Sequence, residues 1–267
     1  MSPILFSIGK FNVYAFGFFL AVSFIFSTFV IFKYAKEEFK EEEYLDAYLY
    51  TALAGLISAR FAYIVLHFDE FGLNILRYIL VRETPGLSLI GGLLGAFLFL
   101  LWYSKVKRYN FRHLLDLFAV AGSIALVFVK IGEQLGGAGF GNETNFFLGI
   151  KIIGLPNRHH PVELYEAFIY FILSIILILL YHRAQKKELP ENFVAYIFIL
   201  AVSLMIFALE FLKVHAVYLY GLSLKQIVAL LVFVLALVVV AKPAISRLYA
   251  SGRGYWKKKH EISDYHS

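Results

Sequence analysis

The stretch that decides the fold is NRHHPVELYEAFIYFILSIILILLYH, residues 157–182. Two histidines, a proline and two glutamates stand at its start, and an almost wholly apolar run follows. Proline suits the first turn of a helix, because the amide it lacks has no partner there, so a helix is predicted from Pro161. About 20 apolar residues span the hydrocarbon core of a bilayer. The stretch therefore predicts a membrane-spanning helix with ionisable groups at its N-terminal end.

The whole chain has the composition of a membrane protein. Of its 267 residues, 60% are hydrophobic and 16% are charged, whereas about a quarter of the residues in an ordinary soluble domain are charged. Apolar windows long enough to cross a bilayer recur along the sequence. The spans they predict are 12–32, 44–67, 86–104, 114–131, 161–181, 192–212 and 223–241. The predicted fold class is an all-α integral membrane protein with about seven transmembrane helices, in a single polytopic domain over residues 1–246.

Positive charge predicts the orientation. More than twice as many lysine and arginine residues fall on one side of the predicted spans as on the other. Cytoplasmic loops are enriched in these residues, so the N-terminus is predicted outside and the C-terminus in the cytoplasm, with a basic cytoplasmic tail over 247–267. Loops 68–85 and 132–160 then lie outside, and the first carries an amphipathic patch. Because this bias accounts for the net charge of +6, no nucleic-acid partner is expected.

Polar residues inside the apolar runs gather at one depth. At about 1.5 Å of helix rise per residue, those near the outer ends of the spans are Tyr14, Arg60, Lys130, Glu166, Glu210 and Lys213. A charge at the bilayer centre costs about 2.5–3.5 kcal/mol, so charges of both signs at one depth predict a shared polar cavity that faces the outer leaflet. The alternative is that Lys130, Glu210 and Lys213 each reach water separately.

The opening stretch can supply chemistry to such a cavity. His160, Glu163 and Glu166 follow one another at intervals of three, so they can share one helix face. Histidine acts as a general base near neutral pH, and Tyr165 adds a phenol nearby. Equally, the histidine and the tyrosine can sit at the level of the lipid headgroups, while glutamates favour a helix N-terminus. The residues alone leave both interpretations open.

Glycines mark two further segments. The loop IGEQLGGAGFGNET, residues 131–144, is rich in glycine, which allows backbone amides to turn inward around an anion. It lacks the spacing of a nucleotide-binding loop, so a phosphate headgroup is the predicted anion, and a flexible loop is the alternative. Gly91 and Gly92 are spaced for close helix packing. The chain has no cysteine, which excludes disulfides and a cysteine nucleophile, and no metal or cofactor is expected.

Six segments in order together resemble the prolipoprotein diacylglyceryl transferase family. They are VYAFGFFLA (13–21), ISARFAYIV (57–65), GLSLIGGLLGA (86–96), KIGEQLGGAGFGNET (130–144), HHPVELYEA (159–167) and LEFLK (209–213). The fifth resembles the His-Pro-x-x-Leu-Tyr-Glu motif of that family. Each segment is short, but their order and spacing run through most of the chain.

The resemblance implies a function and a set of site residues. The family transfers the diacylglyceryl group of phosphatidylglycerol to a cysteine thiol of a lipoprotein precursor in the bacterial cytoplasmic membrane. The expected partners are phosphatidylglycerol, membrane lipid and prolipoprotein signal peptides with a lipobox cysteine. The residues expected in catalysis are His160, Tyr165, Glu166 and Glu210. The residues expected to bind substrate are Tyr14, Arg60, Gly91, Gly92, Lys130, Gly141, Asn142 and Lys213.

The sequence departs from the family pattern at several positions. Ile90 replaces the histidine before the double glycine, and Ile206 replaces an arginine near Glu210. Lys130 and Lys213 stand where the family has arginines, and lysine lacks the two-pronged geometry that suits phosphate. Two alternatives to an active transferase follow. One is a homologue that binds lipid or precursor without transfer, and the other is a small-molecule transporter, which predicts inverted repeats and polar residues at mid-membrane.

Overall fold

Seven long helices make up most of the described chain. The computed structural model describes residues 4–9, 11–37, 40–72, 78, 86–137, 139–152, 155–214 and 221–241. Within these ranges, seven helices are long and apolar enough to cross a membrane. They are α1 (Ala15–Glu37), α2 (Glu41–Leu66), α4 (Leu89–Lys107), α5 (Phe111–Gly136), α6 (Val162–Gln185), α7 (Phe193–Leu209) and α8 (Leu224–Ala241). Short helices follow two of them, namely α3 (Phe68–Phe71) after α2 and the 3₁₀ helix Glu210–Leu212 after α7.

Each of the seven predicted spans overlaps one of these helices, which confirms the all-helical architecture. The helices run past several predicted ends; α1, for example, continues to Glu37. Hydropathy detects only the apolar run, whereas lysine and glutamate are good helix formers that extend it. Most of loop 68–85, with its amphipathic patch, and the whole basic tail 247–267 lie outside the described residues.

Local signals set the ends of α5. The side chain of Asn110 accepts hydrogen bonds from the amides of Arg112 and His113, which satisfies donors that a first helical turn leaves free. At its other end the chain turns at Gly137, with a φ of 73°. Glycine adopts this left-handed conformation without the strain that a Cβ atom would cause. Both ends of α5 are therefore encoded locally.

The helices alternate in direction, so the bundle has two ends. We call the end that carries segment 139–160 the loop end, and the other the opposite end. The loop end holds the starts of α1, α4, α6 and α8 and the finishes of α2, α5 and α7. Strands β1 (Ile4–Ile8) and β2 (Phe11–Tyr14) form an antiparallel hairpin directly before α1. Tyr14, expected near the end of the first helix, is thus the last residue of a strand.

Segment 139–160 is folded back on itself at the loop end. Strands β3 (Ile150–Lys151) and β4 (Arg158–His159) pair antiparallel. Single bridges join Gly141 to Lys213 and Glu143 to His159. These pairings connect the chain before α6 with the chain after α7.

The best-packed core lies at the opposite end. Helix α5 packs against α1, α6 and α7. The rings of Tyr34 and Tyr181 meet edge to face with their centres 4.7 Å apart, a favourable aromatic geometry. The Tyr181 hydroxyl lies 3.0 Å from Nε2 of His113, and Tyr44 packs on the same histidine ring. Aromatic rings and hydrogen-bonding groups of this core thus contact one another.

Small residues bring α2 and α4 together. A Cβ atom added at Gly91 would overlap Ala62, and one added at Gly92 would lie 3.1 Å from Cβ of Ala59. Helices without side chains at their contact can approach closely, which strengthens dispersion contacts in a lipid environment. The packing role predicted for Gly91 and Gly92 agrees with this contact.

Large apolar side chains cover the outward faces of the helices. Among the most exposed are Phe61, Phe168, Leu179 and Leu235. On a protein in water such a surface would be an extensive hydrophobic patch. On helices of this length it matches the hydrocarbon of a bilayer, where every backbone polar group is satisfied within the helix.

Candidate active site

The centre of the candidate site is a carboxylate held between two ammonium groups. Glu166 is buried in the second turn of α6. Its Oε2 lies 2.7 Å from Nζ of Lys130, and its Oε1 lies 2.6 Å from Nζ of Lys213. Lys130 comes from α5, and Lys213 directly follows the 3₁₀ helix. Because a buried charge is tolerated only when it is paired, these contacts hold three charges inside an apolar bundle.

Two further carboxylates complete this arrangement. Oε2 of Glu133 lies 2.7 Å from Nζ of Lys130, and Oε1 of Glu163 lies 3.3 Å from Nζ of Lys213. Neither glutamate was among the predicted site residues. Each lies three positions from a predicted one, so Glu133 shares a face of α5 with Lys130, and Glu163 shares a face of α6 with Glu166. We call the five residues Lys130, Glu133, Glu163, Glu166 and Lys213 the ion-pair cluster.

The ion-pair cluster contains more negative than positive groups. Its three carboxylates face two ammonium groups. Burial disfavours the charged form of Lys213, but attraction to Glu166 outweighs burial and raises the pKa of the Lys213 ammonium group above its ordinary value. Lys213 is therefore a cation at neutral pH, and an incoming anion must compete with carboxylates for it.

Backbone contacts fix the position of Lys213. The Asn142 amide donates to the Leu212 carbonyl oxygen at 2.7 Å, and Nδ2 of Asn142 donates to the Phe211 carbonyl oxygen at 3.2 Å. Gly141 bridges to Lys213 itself. A Cβ atom at Gly141 would lie 2.7 Å from the Leu212 carbonyl oxygen, so glycine permits this close approach. Gly141 and Asn142, both predicted site residues, thus hold the backbone that carries the lysine.

The amides of this segment are engaged by other backbone groups. The amide of Gly141 donates to the carbonyl oxygen of His160 at 2.9 Å, and that of Thr144 donates to the carbonyl oxygen of Arg158 at 2.8 Å. With the Asn142 amide also bonded, these three donors do not turn toward an anion. The predicted anion cradle is therefore not formed by them, because pairing with the chain before α6 and with the chain after α7 takes their hydrogen bonds.

His160 and Tyr165 contact each other beside the ion-pair cluster. Nδ1 of His160 lies 3.3 Å from the Tyr165 hydroxyl. The imidazole is partly exposed, and the phenol belongs to the first turns of α6. A phenol hydroxyl can either donate a hydrogen bond to a ring nitrogen or accept one from it, so Tyr165 can orient the imidazole of His160. His160 stands two residues before the start of α6, and Tyr165 directly precedes Glu166.

Glu210 links the end of α7 to the start of α8. Its Oε1 accepts a hydrogen bond from the hydroxyl of Ser223 at 3.3 Å and lies 3.9 Å from Nζ of Lys225. Its backbone carbonyl oxygen accepts from the Lys213 amide at 3.1 Å. Glu210 thus contacts Lys213 through its backbone and Lys225 through its side chain, and its expected part in catalysis stays a prediction.

Arg60 and Tyr14 occupy other parts of the loop end. The Arg60 guanidinium donates to the carbonyl oxygens of Tyr78 and Gly86, each at 3.1 Å, and lies over the ring of Phe71. These contacts tie the end of α2 to the chain before α4. Tyr14 is 58% exposed at the end of β2, where its phenol is accessible.

Comparison with known proteins identifies the family. A sequence model of prolipoprotein diacylglyceryl transferases matches residues 3–242, which is most of the chain. The chain belongs to the prolipoprotein diacylglyceryl transferase family.

Curated relatives carry the same description. A phosphatidylglycerol–prolipoprotein diacylglyceryl transferase of Clostridioides difficile (strain 630) is 28% identical over 232 residues, which cover 86% of this chain and 91% of the relative. One of Bacteroides fragilis (strain YCH46) is 26% identical over 232 residues, covering 81% and 83%. These comparisons confirm the expected family and its enzyme class, a transferase.

In this member of the diacylglyceryl transferase family, the two isoleucines that depart from the expected pattern are not part of the ion-pair cluster. Ile90 is half exposed in the first turn of α4. Ile206 is partly buried in α7 and packs against the hydrophobic core. Neither side chain can donate a hydrogen bond or carry a charge, so the buried charge at the loop end of this transferase is supplied by other residues, chiefly those of the ion-pair cluster.

Proposed function

We propose that this chain transfers the diacylglyceryl group of phosphatidylglycerol to the thiol of a lipobox cysteine in a prolipoprotein. The observation that carries the proposal is the pair of lysines, the buried Lys130 and the partly buried Lys213, joined through Glu166 at 2.7 and 2.6 Å. Family membership and the names of the relatives support the same reaction. We further propose that the loop end faces the outside of the bacterial cytoplasmic membrane, as the distribution of lysine and arginine predicts.

The reaction makes one bond and breaks one. The substrate sulfur attacks the terminal glycerol carbon of the diacylglyceryl group, a carbon–sulfur bond forms, and the bond from that carbon to the phosphate oxygen breaks. Glycerol phosphate leaves with the bonding electrons, and the thiol proton passes to a base. The enzyme therefore needs positive groups near the departing phosphate and a proton acceptor near the sulfur.

The two lysines fit the first requirement. Ammonium groups stabilise charge that develops on phosphate, and those of Lys130 and Lys213 are already held in place by carboxylates. Because each lysine has two carboxylate contacts, it can exchange one of them for a phosphate oxygen and keep the other. Glu166 sets the distance between the lysines, and Arg60, Gly141 and Asn142 belong to the proposed substrate-binding surface.

His160 fits the second requirement. Imidazole accepts a proton near neutral pH, whereas the thiol that it would deprotonate has an ordinary pKa of about 8.5. The hydroxyl of Tyr165, 3.3 Å from Nδ1 of His160, orients the ring. Glu210, through its backbone contact to Lys213, positions the second lysine. Tyr14, Gly91 and Gly92 complete the surface proposed to bind the lipid.

The test is transfer itself. The purified chain is reconstituted with phosphatidylglycerol and a lipobox peptide that has one cysteine, and mass spectrometry detects the diacylglyceryl thioether. We expect product from the wild type and at least a tenfold loss for Lys130→Ala. The matched control is Arg112→Ala, an exposed cation at the opposite end, which should retain transfer.

Two results would count against the proposal. Full transfer by Lys130→Ala would remove the phosphate role of that lysine. Absence of product from folded wild-type protein that still binds phosphatidylglycerol would favour a homologue that binds lipid without transfer.

A further inference from the structure

Two buried side-chain atoms near the ion-pair cluster have no hydrogen-bond partner among the described residues. They are Oε2 of Glu163 and Nε2 of His159. Each residue is only 5% exposed. Buried polar atoms in folded proteins nearly always have partners, because an unpaired one loses its hydration without replacement. Two unpaired atoms at one end of the bundle therefore indicate that something else supplies the missing hydrogen bonds.

Both atoms are acceptors. The other oxygen of Glu163 faces Lys213 at 3.3 Å, so its Oε2 is the part of the carboxylate that remains to be satisfied. Nδ1 of His159 lies 2.8 Å from the carbonyl oxygen of Gly141. A carbonyl oxygen only accepts hydrogen bonds, so Nδ1 carries a proton, and a ring with that single proton offers a lone pair at Nε2. The missing partner must bring hydrogen-bond donors.

The two acceptors lie along one short segment, residues 139–141. A Cβ atom at Gly139 would be 2.9 Å from Oε1 of Glu163. The ring of Phe140 meets the His159 ring edge to face, with centres 5.3 Å apart, and Gly141 receives the His159 hydrogen bond. Glycine at positions 139 and 141 lets the backbone approach its neighbours closely, so both acceptors lie beside this segment.

The charges of Glu163 and Lys213 exclude two classes of ligand, an anionic phosphate and a cationic ammonium group. A phosphate oxygen has no proton to give to a carboxylate at neutral pH and would be repelled by Glu163. An ammonium group would meet Lys213, already 3.3 Å from the same carboxylate. The remaining class is a neutral donor, and a ligand with two hydroxyl groups supplies one donor for each acceptor.

We propose that Glu163 and His159 form a hydroxyl-binding subsite that receives the two free hydroxyl groups of the phosphatidylglycerol headgroup. The subsite rests on the proposed function, since that reaction brings this lipid to the ion-pair cluster. The lysines hold the phosphate, and the two acceptors hold the glycerol that leaves with it. Glu163 and His159 thus select among anionic lipids by their headgroup hydroxyls, whereas the lysines recognise the negative charge that all of these lipids share.

The experiment compares lipids that differ only in these hydroxyls. Phosphatidylglycerol and phosphatidylpropanol carry the same charge and a headgroup of the same length, but the second lacks both headgroup hydroxyls. Binding of each to the full chain in nanodiscs of neutral lipid is measured by competition, and transfer to the lipobox peptide is measured in parallel. We expect the wild type to prefer phosphatidylglycerol at least tenfold, because the analogue leaves both buried acceptors unpaired.

Variants then test the two residues. Glu163→Met removes the acceptor while Lys213 keeps its 2.6 Å contact with Glu166, and His159→Phe removes the second acceptor at similar size. Each should lower the preference ratio at least threefold. Glu143→Gln and His182→Phe are the matched controls, since Glu143 accepts from Asn157 and His182 bonds within its own helix. The ratio in both controls should equal that of the wild type.

The outcomes separate the two proposals. Equal binding of the two lipids by the wild type, or an unchanged ratio in both variants, would overturn the subsite. Preferred binding of phosphatidylethanolamine would overturn it in favour of an ammonium site. Retained preference for phosphatidylglycerol without any transfer would count against the proposed reaction and leave the subsite standing.

Discussion

Glu166 and Asp116 are both buried carboxylates, each 4% exposed, yet their partners differ in kind. Glu166, at the loop end, is held by the side-chain ammonium groups of Lys130 and Lys213. Asp116, at the opposite end, accepts a hydrogen bond from the backbone amide of Ala195 at 2.8 Å, in the first turn of α7. One carboxylate is matched by movable cations and the other by a helix terminus.

The difference separates chemistry from structure within one bundle. A backbone amide in the first turn of a helix cannot leave its acceptor unless the helix moves, so Asp116 joins α5 to α7 permanently. A lysine side chain can turn to a new anion while its helix stays in place. Under the proposed function the loop end exchanges its partners, whereas the contact of Asp116 is fixed by the backbone of α7.

The largest loss of stability and of transfer is expected from a substitution at Glu166, at the loop end. Glu166→Gln keeps the shape of the side chain but leaves the two lysines facing a neutral group. Removing one member of a buried ion pair costs about 3–5 kcal/mol, so the midpoint of unfolding in detergent should fall markedly, and transfer should fall with it. Circular dichroism during denaturant titration measures the first effect and mass spectrometry the second.

Its matched control is Glu191→Gln. Glu191 also pairs with a cation, Arg112, but both side chains are 63% exposed. Exposed pairs contribute about 1 kcal/mol or less, so this variant should unfold close to the wild type. Equal losses of stability in Glu166→Gln and Glu191→Gln would show that the buried ion pairs contribute no more than the exposed one.

A smaller effect is expected at the opposite end. Asp116→Ala removes the acceptor for the first turn of α7 and should destabilise the protein by about 1–2 kcal/mol. Transfer per folded molecule should stay unchanged, because Asp116 is remote from the ion-pair cluster along α5. If this variant remained folded but lost transfer as fully as Glu166→Gln, the purely structural role of Asp116 would be contradicted.

The smallest effect concerns the neutral hydrogen bond in the same core. Tyr181→Phe removes the hydroxyl that contacts His113 at 3.0 Å but keeps the ring packed on Tyr34. A single hydrogen bond contributes about 1 kcal/mol, and the same detergent unfolding assay resolves it. Tyr50→Phe, at a side chain 49% exposed, should change nothing; a larger loss there than at Tyr181 would contradict the assignment of this core.

The seven spans were predictable because hydropathy needs only composition over a window. The hairpin before α1 was missed because its apolar residues run directly into the first span. Gly9, with a φ of 60°, is the signal that could have revealed the turn. The strand pairing around 139–160 was also missed, since it depends on contacts between distant parts of the chain.

The candidate site was predicted in its residues more than in its contacts. Spacing placed Glu163 and Glu166 on one face, and hydropathy marked Lys130 as unusual. That Lys213 reaches both glutamates depends on the 3₁₀ helix and on the bridge to Gly141, and no local pattern encodes either. His159 carries no sequence signal beyond its type, because its importance lies in a nitrogen that burial leaves unpaired.

The contact between Glu133 and Lys130 has a consequence for how the chain is made. Synthesis from the N-terminus delivers α5 to the membrane before α6 and α7, so Lys130 arrives earlier than Glu166 or Lys213. Glu133, 2.7 Å away on the same helix, accompanies the lysine from the start and lowers the cost of placing its charge in lipid. When α6 enters the membrane, Glu166 pairs with a lysine that already has one carboxylate partner. Lys213 then joins the ion-pair cluster last.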